Sequence, residues 1–379
     1  MNIIESVKDK NLFHNYLGES LDSWENWLTA LKTMYGLPAE TEAERKLIVE
    51  CTGRDPSLLP ESGFQTSLLL VGRRSGKSRI AGLTAAFEAA LSGREKLLSP
   101  GEIGLVVVVS PTKFQSRIVR RYIRACFAAT PILRGEIIDE TKESFVLKNG
   151  VEIHSLVADY RSVRGFSLLS CIVDEVCFLD MADENKIKSD VELIQALRPG
   201  LANTQGRMVC IGSPYSRRGW AYSTWKKSFG NDDSKTLTWV SPSRLMNPTL
   251  SEQVVNDALQ EDPAAAKAEY LAQWRDDVAA FISRATVESL VVQGRGNLPY
   301  SSGIKYAAFC DVSGGRSDNA AISIAHKEGH TVIIDYLEEF KAPNNPYQCV
   351  AEMTAIIKSY GLDKAVGDAY AAEFSRIAF

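Results

Sequence analysis

A segment rich in glycine and basic residues carries the clearest chemical signal in this chain. Residues 71–78 read VGRRSGKS and follow directly after the apolar run at 68–70. Backbone N–H groups in such a loop bind phosphate oxygens, and the N-terminus of the helix that follows favours negative charge. Lys77 is then placed to reach the β- and γ-phosphates of a nucleoside triphosphate, and the Ser78 hydroxyl is placed to bind Mg²⁺. The segment therefore predicts a P-loop.

This segment departs from the common P-loop pattern in its spacing. The pattern has four residues between its two glycines, whereas Gly72 and Gly76 enclose three, so Val71 takes the position of the first glycine. The context supports the prediction, because an apolar strand pattern precedes the loop and small residues at 80–87 continue as a helix. The alternative is a Gly/Ser turn with basic residues on the surface.

An acidic pair follows another apolar run. Residues 170–173 read SCIV and lead directly into Asp174 and Glu175. In a P-loop protein, a carboxylate at this position binds Mg²⁺ and the next one polarises the attacking water. We therefore interpret the pair as a Walker B element; an acidic pair at a strand end by chance is the alternative.

Two further segments leave alternatives open. The strand pattern at 208–211 ends in Gly-Ser-Pro at 212–214, where a polar residue would sense the γ-phosphate, although this tripeptide alone is only a turn. Residues 215–227 mix arginine and lysine with tryptophan, which suits contact with nucleic acid. An amphipathic helix with a solvated basic face explains them equally well.

Several arginines are candidates for a finger that contacts the triphosphate. Arg73 and Arg74 lie inside the loop, where one could act within its own subunit. Four arginines on the helix pattern at 113–128 could instead reach a neighbouring subunit, and two in the loop at 159–165 could contact phosphates. The residues themselves do not decide between these sources.

Strand and helix patterns that would position these residues alternate after residue 60. Strand-like runs occur at 67–71, 105–110, 151–157, 168–174, 207–212 and 236–240. Helical patterns occur at 77–92, 113–128 and 186–197. Continuous Val, Ile and Leu strands separated by helices indicate a mostly parallel sheet that is buried on both faces. We therefore predict an α/β fold with a P-loop core.

The rest of the chain has a different pattern. Residues 12–50 and 250–291 are predicted to be helical, and the Gly-rich stretch at 294–297 is predicted to be a linker. Three strands, a helix and a fourth strand follow, at 305–311, 320–325, 331–336, 346–360 and 364–367. Asp311 ends the first of these strands and Asp368 follows the last.

Composition narrows the class of protein. The chain has 379 residues, of which 45% are hydrophobic and 24% are charged. Its net charge is −4, so a nucleic-acid partner would have to be bound by local basic patches. The seven cysteines show no metal-ligand spacing, which favours buried thiols in a reducing compartment. The first ten residues are polar and the apolar runs are short, so we expect a cytoplasmic protein without a membrane span.

The order of these motifs resembles the large terminase subunit of tailed bacteriophages. The resemblance runs from the helix with Trp24 and Trp27 to the last residues. It implies a RecA-like, ASCE-type ATPase core that drives double-stranded DNA into a procapsid, followed by an RNase H-like nuclease domain that cuts concatemeric DNA. Family P-loops often have Arg and Ser before Gly-Lys-Ser or Gly-Lys-Thr, as here. The implied divisions are a helical segment at 1–60, the ATPase at 61–248, a helical linker at 249–298 and the nuclease at 299–379.

The resemblance also implies roles for single residues in the ATPase. Glu175 would be the catalytic carboxylate, Arg73 a catalytic finger, and Ser78 and Asp174 the ligands of Mg²⁺. Gln65, shortly before the first strand, would recognise adenine. The implied ATP-binding residues are Gly72, Arg74, Ser75, Gly76, Lys77 and Ser78, and the implied coupling residues are Gly212, Ser213 and Pro214.

In the C-terminal segment, residues 309–318 resemble the first nuclease motif of the family. Asp311 and Asp368 would be catalytic metal ligands that share Mg²⁺ or Mn²⁺ ions, which clamp the attacking and leaving oxygens of a phosphodiester. The sequence ends at Phe379, before a counterpart of the third acidic ligand of the family. We therefore expect a C-terminally truncated nuclease domain that cuts DNA poorly or not at all.

The partners implied by the resemblance are double-stranded DNA, a portal protein and a small terminase subunit. A homo-oligomeric ring on the portal is expected in the host bacterial cytoplasm, and the isolated chain could be a monomer. One alternative is a helicase-like or other DNA-remodelling ATPase, although a helicase would need a second RecA-like lobe. Another is a nucleotide-binding assembly protein without turnover, against which Glu175 argues.

Overall fold

The chain divides into two structural units. A computed structural model describes residues 1–158, 166–179, 190–275, 287, 289–292, 294–312 and 319–367. The first unit comprises Met1–Thr286 and the second comprises Val287–Phe379. Each unit has a β-sheet and a hydrophobic core of its own.

Eight strands of the described residues form the sheet of the first unit, in the order β3-β4-β5-β2-β6-β7-β1-β8. Six neighbouring strands of this sheet run parallel, namely β5, β2, β6, β7, β1 and β8. At one edge of the sheet, β3 and β4 are antiparallel. The strands are β1 (Thr66–Val71), β2 (Gly104–Ser110), β3 (Ile137–Glu140), β4 (Ser144–Leu147), β5 (Glu152–Val157), β6 (Ser167–Val173), β7 (Arg207–Gly212) and β8 (Thr236–Ser241). The predicted parallel core is confirmed, whereas β3 and β4 were missed by the sequence prediction because they are short and partly exposed.

Helices cover both faces of this sheet. They are α1 (Ile3–Lys8), α2 (His14–Leu17), α3 (Glu25–Tyr35), α4 (Glu42–Thr52), α5 (Lys77–Ala90), α6 (Lys113–Ala129), α7 (Asp190–Leu197), α8 (Gly219–Ser228), α9 (Ser243–Met246), α10 (Glu252–Glu261) and α11 (Pro263–Leu271). Successive strand residues point to opposite faces. Leu69 packs in the core with α3, α5 and α6, and Leu68 packs in the core with α7 and α8. This two-sided burial explains the unbroken apolar strands.

The predicted helical stretch at 250–291 is divided in the structure. Helix α10 ends at Glu261, and α11 begins at Pro263 with the Asp262 carboxylate accepting from the N–H groups of Ala264 and Ala265. Proline fits the first helical turn because its missing N–H would have no partner there. Helix α11 ends at Leu271, and residues 276–286 of the predicted stretch lie outside the described residues.

The second unit has four described strands in the order β11-β10-β9-β12. Its elements are β9 (Tyr306–Asp311), β10 (Ala320–Glu328), β11 (Thr331–Phe340), α12 (Pro346–Ser359) and β12 (Val366–Gly367). β10 pairs antiparallel with β9 on one side and with β11 on the other, and β12 pairs parallel with β9. Ile322 and Ile324 pack in one core with Met353 and Ile357 of α12. The predicted order of strands and helix is therefore observed.

The structure also bears on the cysteines and on the short apolar runs of the sequence. All seven cysteines are buried and none forms a disulfide. No helix in the described part of the chain combines the length and the apolar character needed to cross a membrane.

Candidate nucleotide-binding site

The loop between β1 and α5 is shaped by the close approach of other groups to its glycines. A Cβ atom on Gly72 would lie 2.3 Å from Ser243 Oγ and 2.7 Å from the carbonyl oxygen of Tyr270. Gly76 has a φ of +97°, and a Cβ there would meet the Trp24 ring at 2.9 Å. Left-handed backbone conformations favour glycine because they cost other residues free energy. Both glycines are therefore required by the geometry of the loop.

The Lys77 ammonium lies buried inside this loop. Its Nζ donates to the carbonyl oxygens of Val71 at 2.8 Å and Gly72 at 3.1 Å, and to Ser213 Oγ at 2.9 Å. Burial lowers the pKa of Lys77, whereas the charge of Glu175 and then that of Asp174 raise it. Its acceptors among the described residues are neutral oxygens, which the ammonium can exchange for anionic phosphate oxygens.

Asp174 and Glu175 follow β6 at the same edge of the sheet. The Asp174 N–H continues the strand pairing by donating to Val109 O at 2.8 Å, and the residue is only 4% exposed. Burial raises the pKa of Asp174, and the charge of Glu175 adds to this, whereas Lys77 lowers it. Glu175 lines the same cavity as Lys77 and has a φ of +48°. A non-glycine residue in this conformation is strained, and such strain is common at functional sites.

The segment after β7 connects to the loop through one hydroxyl group. Ser213 is buried, and its Oγ donates to Val71 O at 3.0 Å while it accepts from Lys77. A Cβ on Gly212 would lie 3.2 Å from Val176 N, so β7 also approaches the acidic pair closely. β1, β7 and β6 are neighbours in the sheet. Their carboxyl ends therefore bring together Lys77, Ser213, Asp174 and Glu175.

The segments around α9 and α11 hold the two loop arginines. Ser243 Oγ donates to Arg73 O at 2.6 Å, and Asn247 Nδ2 donates to Arg74 O at 2.7 Å. The Arg73 N–H donates to Glu269 O at 2.5 Å, and its Nη1 lies 2.7 Å from Glu269 Oε1. The guanidinium of Arg73, a predicted finger, is thus paired with an acidic residue of α11.

The N-terminal helices support the loop from another side. Trp27 Nε1 donates to Ser75 O at 2.7 Å. The Arg79 guanidinium lies over the rings of Tyr16 and Trp24, at 5.1 and 5.3 Å from their centroids. Sequence reasoning missed this support, because the helical spacing of Trp24 and Trp27 indicated only a buried helix face.

A cavity of about 790 Å³ opens over the loop. The Ser75 hydroxyl is buried without a hydrogen-bond partner among the described residues. Together with the Lys77 ammonium, it fits a phosphate group. The buried Asp174 carboxylate and the Ser78 hydroxyl are oxygen donors of the kind Mg²⁺ prefers. The lining residues beyond the loop include Leu17, Trp24, Ile118, Tyr122, Met246, Asn247, Thr249 and Tyr270.

Gln65, the predicted adenine contact, is not brought to this cavity. It precedes β1, whereas the loop follows β1, and a six-residue strand spans about 20 Å. Gln65 lines a different cavity, with Arg198 and Met208 among its neighbours. Aromatic and apolar residues such as Trp24 and Tyr270 line the loop cavity instead.

The predicted alternative arginines have varied surroundings. Arg120 and Arg124 on α6 each lie 2.8 Å from a carboxylate oxygen of Glu140. Arg117 and Arg121 lie on the same helix, and both are exposed. The arginines in the loop at 159–165 lie outside the described residues.

In the second unit, Asp311 ends β9 and is exposed. Its neighbour in the sheet is Ala321 of β10, and β12 pairs with β9 up to Gly367 opposite Cys310. Asp368 lies outside the described residues. Among the residues described, no group of three or more His, Cys, Asp or Glu side chains is arranged to hold a metal ion. The predicted metal-binding role of Asp311 therefore stays a prediction.

Comparisons with known proteins place the fold. No family model and no curated protein matches the chain. The solved large terminase of bacteriophage HK97 is similar, with 16% identity, a TM-score of 0.54, and coverage of 93% of this chain and 82% of that chain. The solved large terminase of a thermophilic bacteriophage is 12% identical over 84% of this chain and 75% of that chain, with a TM-score of 0.40. At this identity, the similarity to the HK97 protein shows a shared fold, which confirms the predicted fold class.

Proposed function

We propose that the chain is the ATPase of a DNA-packaging motor, which hydrolyses ATP to translocate double-stranded DNA into a procapsid. The observation that carries the proposal is the convergence of Lys77, Ser213, Asp174 and Glu175 at three neighbouring strand ends. Such a set of an ammonium, a hydroxyl and two carboxylates is suited to phosphoryl transfer to water. The fold shared with the HK97 large terminase supports the motor as its context.

In this proposal, Lys77, Ser75 and the loop N–H groups bind the β- and γ-phosphates of ATP. Ser78 and Asp174 would hold Mg²⁺, which neutralises charge on these phosphates when bound. Burial and the charge of Glu175 raise the pKa of Asp174, and a cation bound beside this carboxylate would stabilise its ionised form.

Glu175 is proposed to orient the attacking water and accept its proton. The water oxygen forms a bond to the γ-phosphorus, the bond from that phosphorus to the β–γ bridging oxygen breaks, and ADP and inorganic phosphate result. Arg73 could stabilise the charge of the transferring group only after its guanidinium leaves Glu269. Ser213 contacts both Lys77 and Val71, so it could transmit the loss of phosphate to β7.

The remaining roles are proposed on the resemblance and the shared fold. The resemblance assigns the cleavage of concatemeric DNA to the second unit, with Asp311 and Asp368 as ligands of Mg²⁺ or Mn²⁺, although this chain is expected to cut DNA poorly or not at all. Portal protein and small terminase subunit would be the partners of a ring in the host cytoplasm. Robust nicking of supercoiled plasmid in the presence of Mn²⁺ that is lost in Asp311→Asn would support the nuclease role of Asp311 and contradict the expectation of weak cleavage.

Steady-state ATP hydrolysis with and without double-stranded DNA tests the motor proposal. Lys77→Ala and Glu175→Gln are each expected to lower turnover by roughly 100-fold or more, as removal of one charge-stabilising group does in other enzymes. Glu175→Gln should still bind ATP. Lys46→Ala and Glu50→Gln, exposed residues on α4, are the matched controls and should leave turnover unchanged.

The same measurement separates the alternatives. A passive nucleotide-binding protein would show no turnover that depends on Glu175, and a helicase would separate the strands of a duplex as it hydrolyses ATP. Turnover that persists in Lys77→Ala would contradict the proposal, because hydrolysis would then take place elsewhere.

A further inference from the structure

A second cavity of the first unit shares no lining residue with the loop cavity. Its volume is about 630 Å³. Aromatic and basic side chains from α8, α11 and the segments that flank them dominate its lining. These are Arg217, Trp225, Phe229, Lys267, Trp274 and Arg275. The nucleotide-binding machinery leaves this cavity unexplained.

Aromatic rings cluster at this cavity, where Trp225 and Trp274 are partly buried and pack against the core that contains Leu68. Trp225 and Trp274 have their ring centroids 5.8 Å apart at an interplanar angle of 55°, and Phe229 lies 6.3 Å from Trp225. Tyr222 stacks on Trp225 at 5.6 Å with an angle of 28°. Phe229 is 37% exposed, so part of this ring surface is open to a ligand. Flat apolar surface of this kind suits another planar ring.

One polar atom of the cluster lacks a partner. Trp274 Nε1 is buried without a hydrogen-bond acceptor among the described residues. Burying an N–H donor without an acceptor costs free energy.

The charged side chains of the lining all have the same sign. Arg217, Lys267 and Arg275 are basic, and the described lining contains no Asp or Glu. The Arg275 guanidinium lies 5.5 Å from the Tyr215 ring centroid, and its backbone N–H donates to Tyr215 O at 2.8 Å, which fixes its position. Lys267 is exposed on α11. Arg217 and Arg275 also have other partners, so the exposed Lys267 is the charge that the cavity offers, and the complementary ligand is planar and anionic.

We propose that this cavity binds an unpaired nucleotide of a DNA strand. The base stacks on the rings of Trp225 and Phe229, and a neighbouring backbone phosphate contacts Lys267. Bases within a duplex stack on each other, so their faces are closed to these rings, whereas an unpaired base offers its face. The inference goes beyond the proposed function, since a motor that moves duplex DNA does not require a site for an unpaired base.

Binding of a fluorescein-labelled ten-residue oligodeoxythymidine, followed by anisotropy without ATP, tests the proposal. Lys267→Glu is expected to weaken binding about tenfold and to reduce the slope of log affinity against log salt by about one. The matched control is Lys226→Glu, because Lys226 is an exposed residue on α8 that does not line the cavity. It should weaken binding at most twofold.

Phe229 tests the stacking contact. Phe229→Ala should weaken binding by roughly fivefold or more, whereas Phe229→Tyr, which keeps the ring, should bind like the unchanged chain. Thermal unfolding followed by circular dichroism checks that Phe229→Ala is folded. If it is not, the Lys267→Glu comparison and the competition experiment decide the proposal.

Competition identifies where the oligonucleotide binds. The proposal expects neither ATP nor a blunt duplex of equal length to displace it. Displacement by ATP would place the oligonucleotide in the loop cavity and overturn the proposal. Equal displacement by the duplex, or equal weakening by Lys226→Glu and Lys267→Glu, would overturn it as well. Since no ATP is present in the binding measurement, failure of the ATPase proposal would leave this result intact.

Discussion

The two units contain candidate catalytic carboxylates at strand ends, but in very different surroundings. In the first unit, Asp174 is buried within a network that includes the Lys77 ammonium and the Ser213 hydroxyl. In the second unit, Asp311 is exposed at the end of β9. The first site is built by close packing of the backbone, so its geometry exists without a ligand. The candidate carboxylate of the second unit has no such network around it in the described residues.

This difference explains which site is more strongly specified by the fold. Gly72 and Gly76 leave no room for a side chain, and Lys77 makes its three hydrogen bonds to oxygens of the loop and of the segment after β7. A metal-binding carboxylate, as Asp311 is predicted to be, has its negative charge stabilised by the bound metal ion rather than by neighbouring side chains. Variants of the first site should therefore disturb folding and turnover together, whereas a variant of Asp311 should leave the stability unchanged.

Gly72→Ala should have the largest effect of the structural variants. The new Cβ would lie 2.7 Å from the Tyr270 carbonyl oxygen, which belongs to the backbone and cannot rotate away. Overpacking of this kind costs about 1–3 kcal/mol. Chemical denaturation should show a loss of stability in this range, and ATP turnover should fall with it.

Gly135→Ala is the control for this variant. A Cβ at Gly135 meets only Lys148 Nζ, at 3.7 Å, which is an ordinary contact. Its free energy of unfolding should change by less than about 0.5 kcal/mol, as for other surface substitutions. Equal destabilisation by Gly72→Ala and Gly135→Ala would show that the loop is not held tightly against α9 and α11.

The same contrast explains how much the sequence could predict. The strands around the site are continuous apolar runs with motifs at their ends, so the parallel core and the convergence of Lys77 with Asp174 follow from the pattern. Gln65 does not line the loop cavity, because it precedes β1 and the loop follows β1, so the two lie at opposite ends of that strand. The support from Trp27, Ser243 and Glu269 was missed because contacts between residues distant in sequence leave no local pattern.

Ser213→Ala tests the contact between the Ser213 hydroxyl and the Lys77 ammonium. It removes one of the three acceptors of the buried Lys77 ammonium and leaves the two carbonyl oxygens. A hydrogen bond to a charged group contributes about 1.5–3 kcal/mol, so ATP turnover should fall roughly tenfold or more. Ser110→Ala is the matched control, since Ser110 is buried at the end of β2 with no hydroxyl partner in the described residues. A loss of turnover of the same size in both variants would contradict a specific role for Ser213.

The smallest expected effect concerns a paired acidic residue in the interior of the second unit. Asp335 lies 2.6 Å from His326 Nδ1, and both side chains are buried beside Tyr306 and Tyr360. The hydrogen bond to Asp335, followed by that to Glu328, raises the pKa of His326 above its usual 6.5. A group whose pKa is raised on folding stabilises the protein fully below its unfolded-state pKa and loses this contribution as the pH rises through the folded-state value. Calorimetry should therefore show that the unfolding temperature of this unit falls as the pH is raised above about 6.5.

His326→Asn should flatten this dependence, whereas Asp311→Asn should retain it, because the exposed Asp311 is not part of the buried pair. An unchanged slope in His326→Asn would mean that the interior pair does not control the stability of this unit.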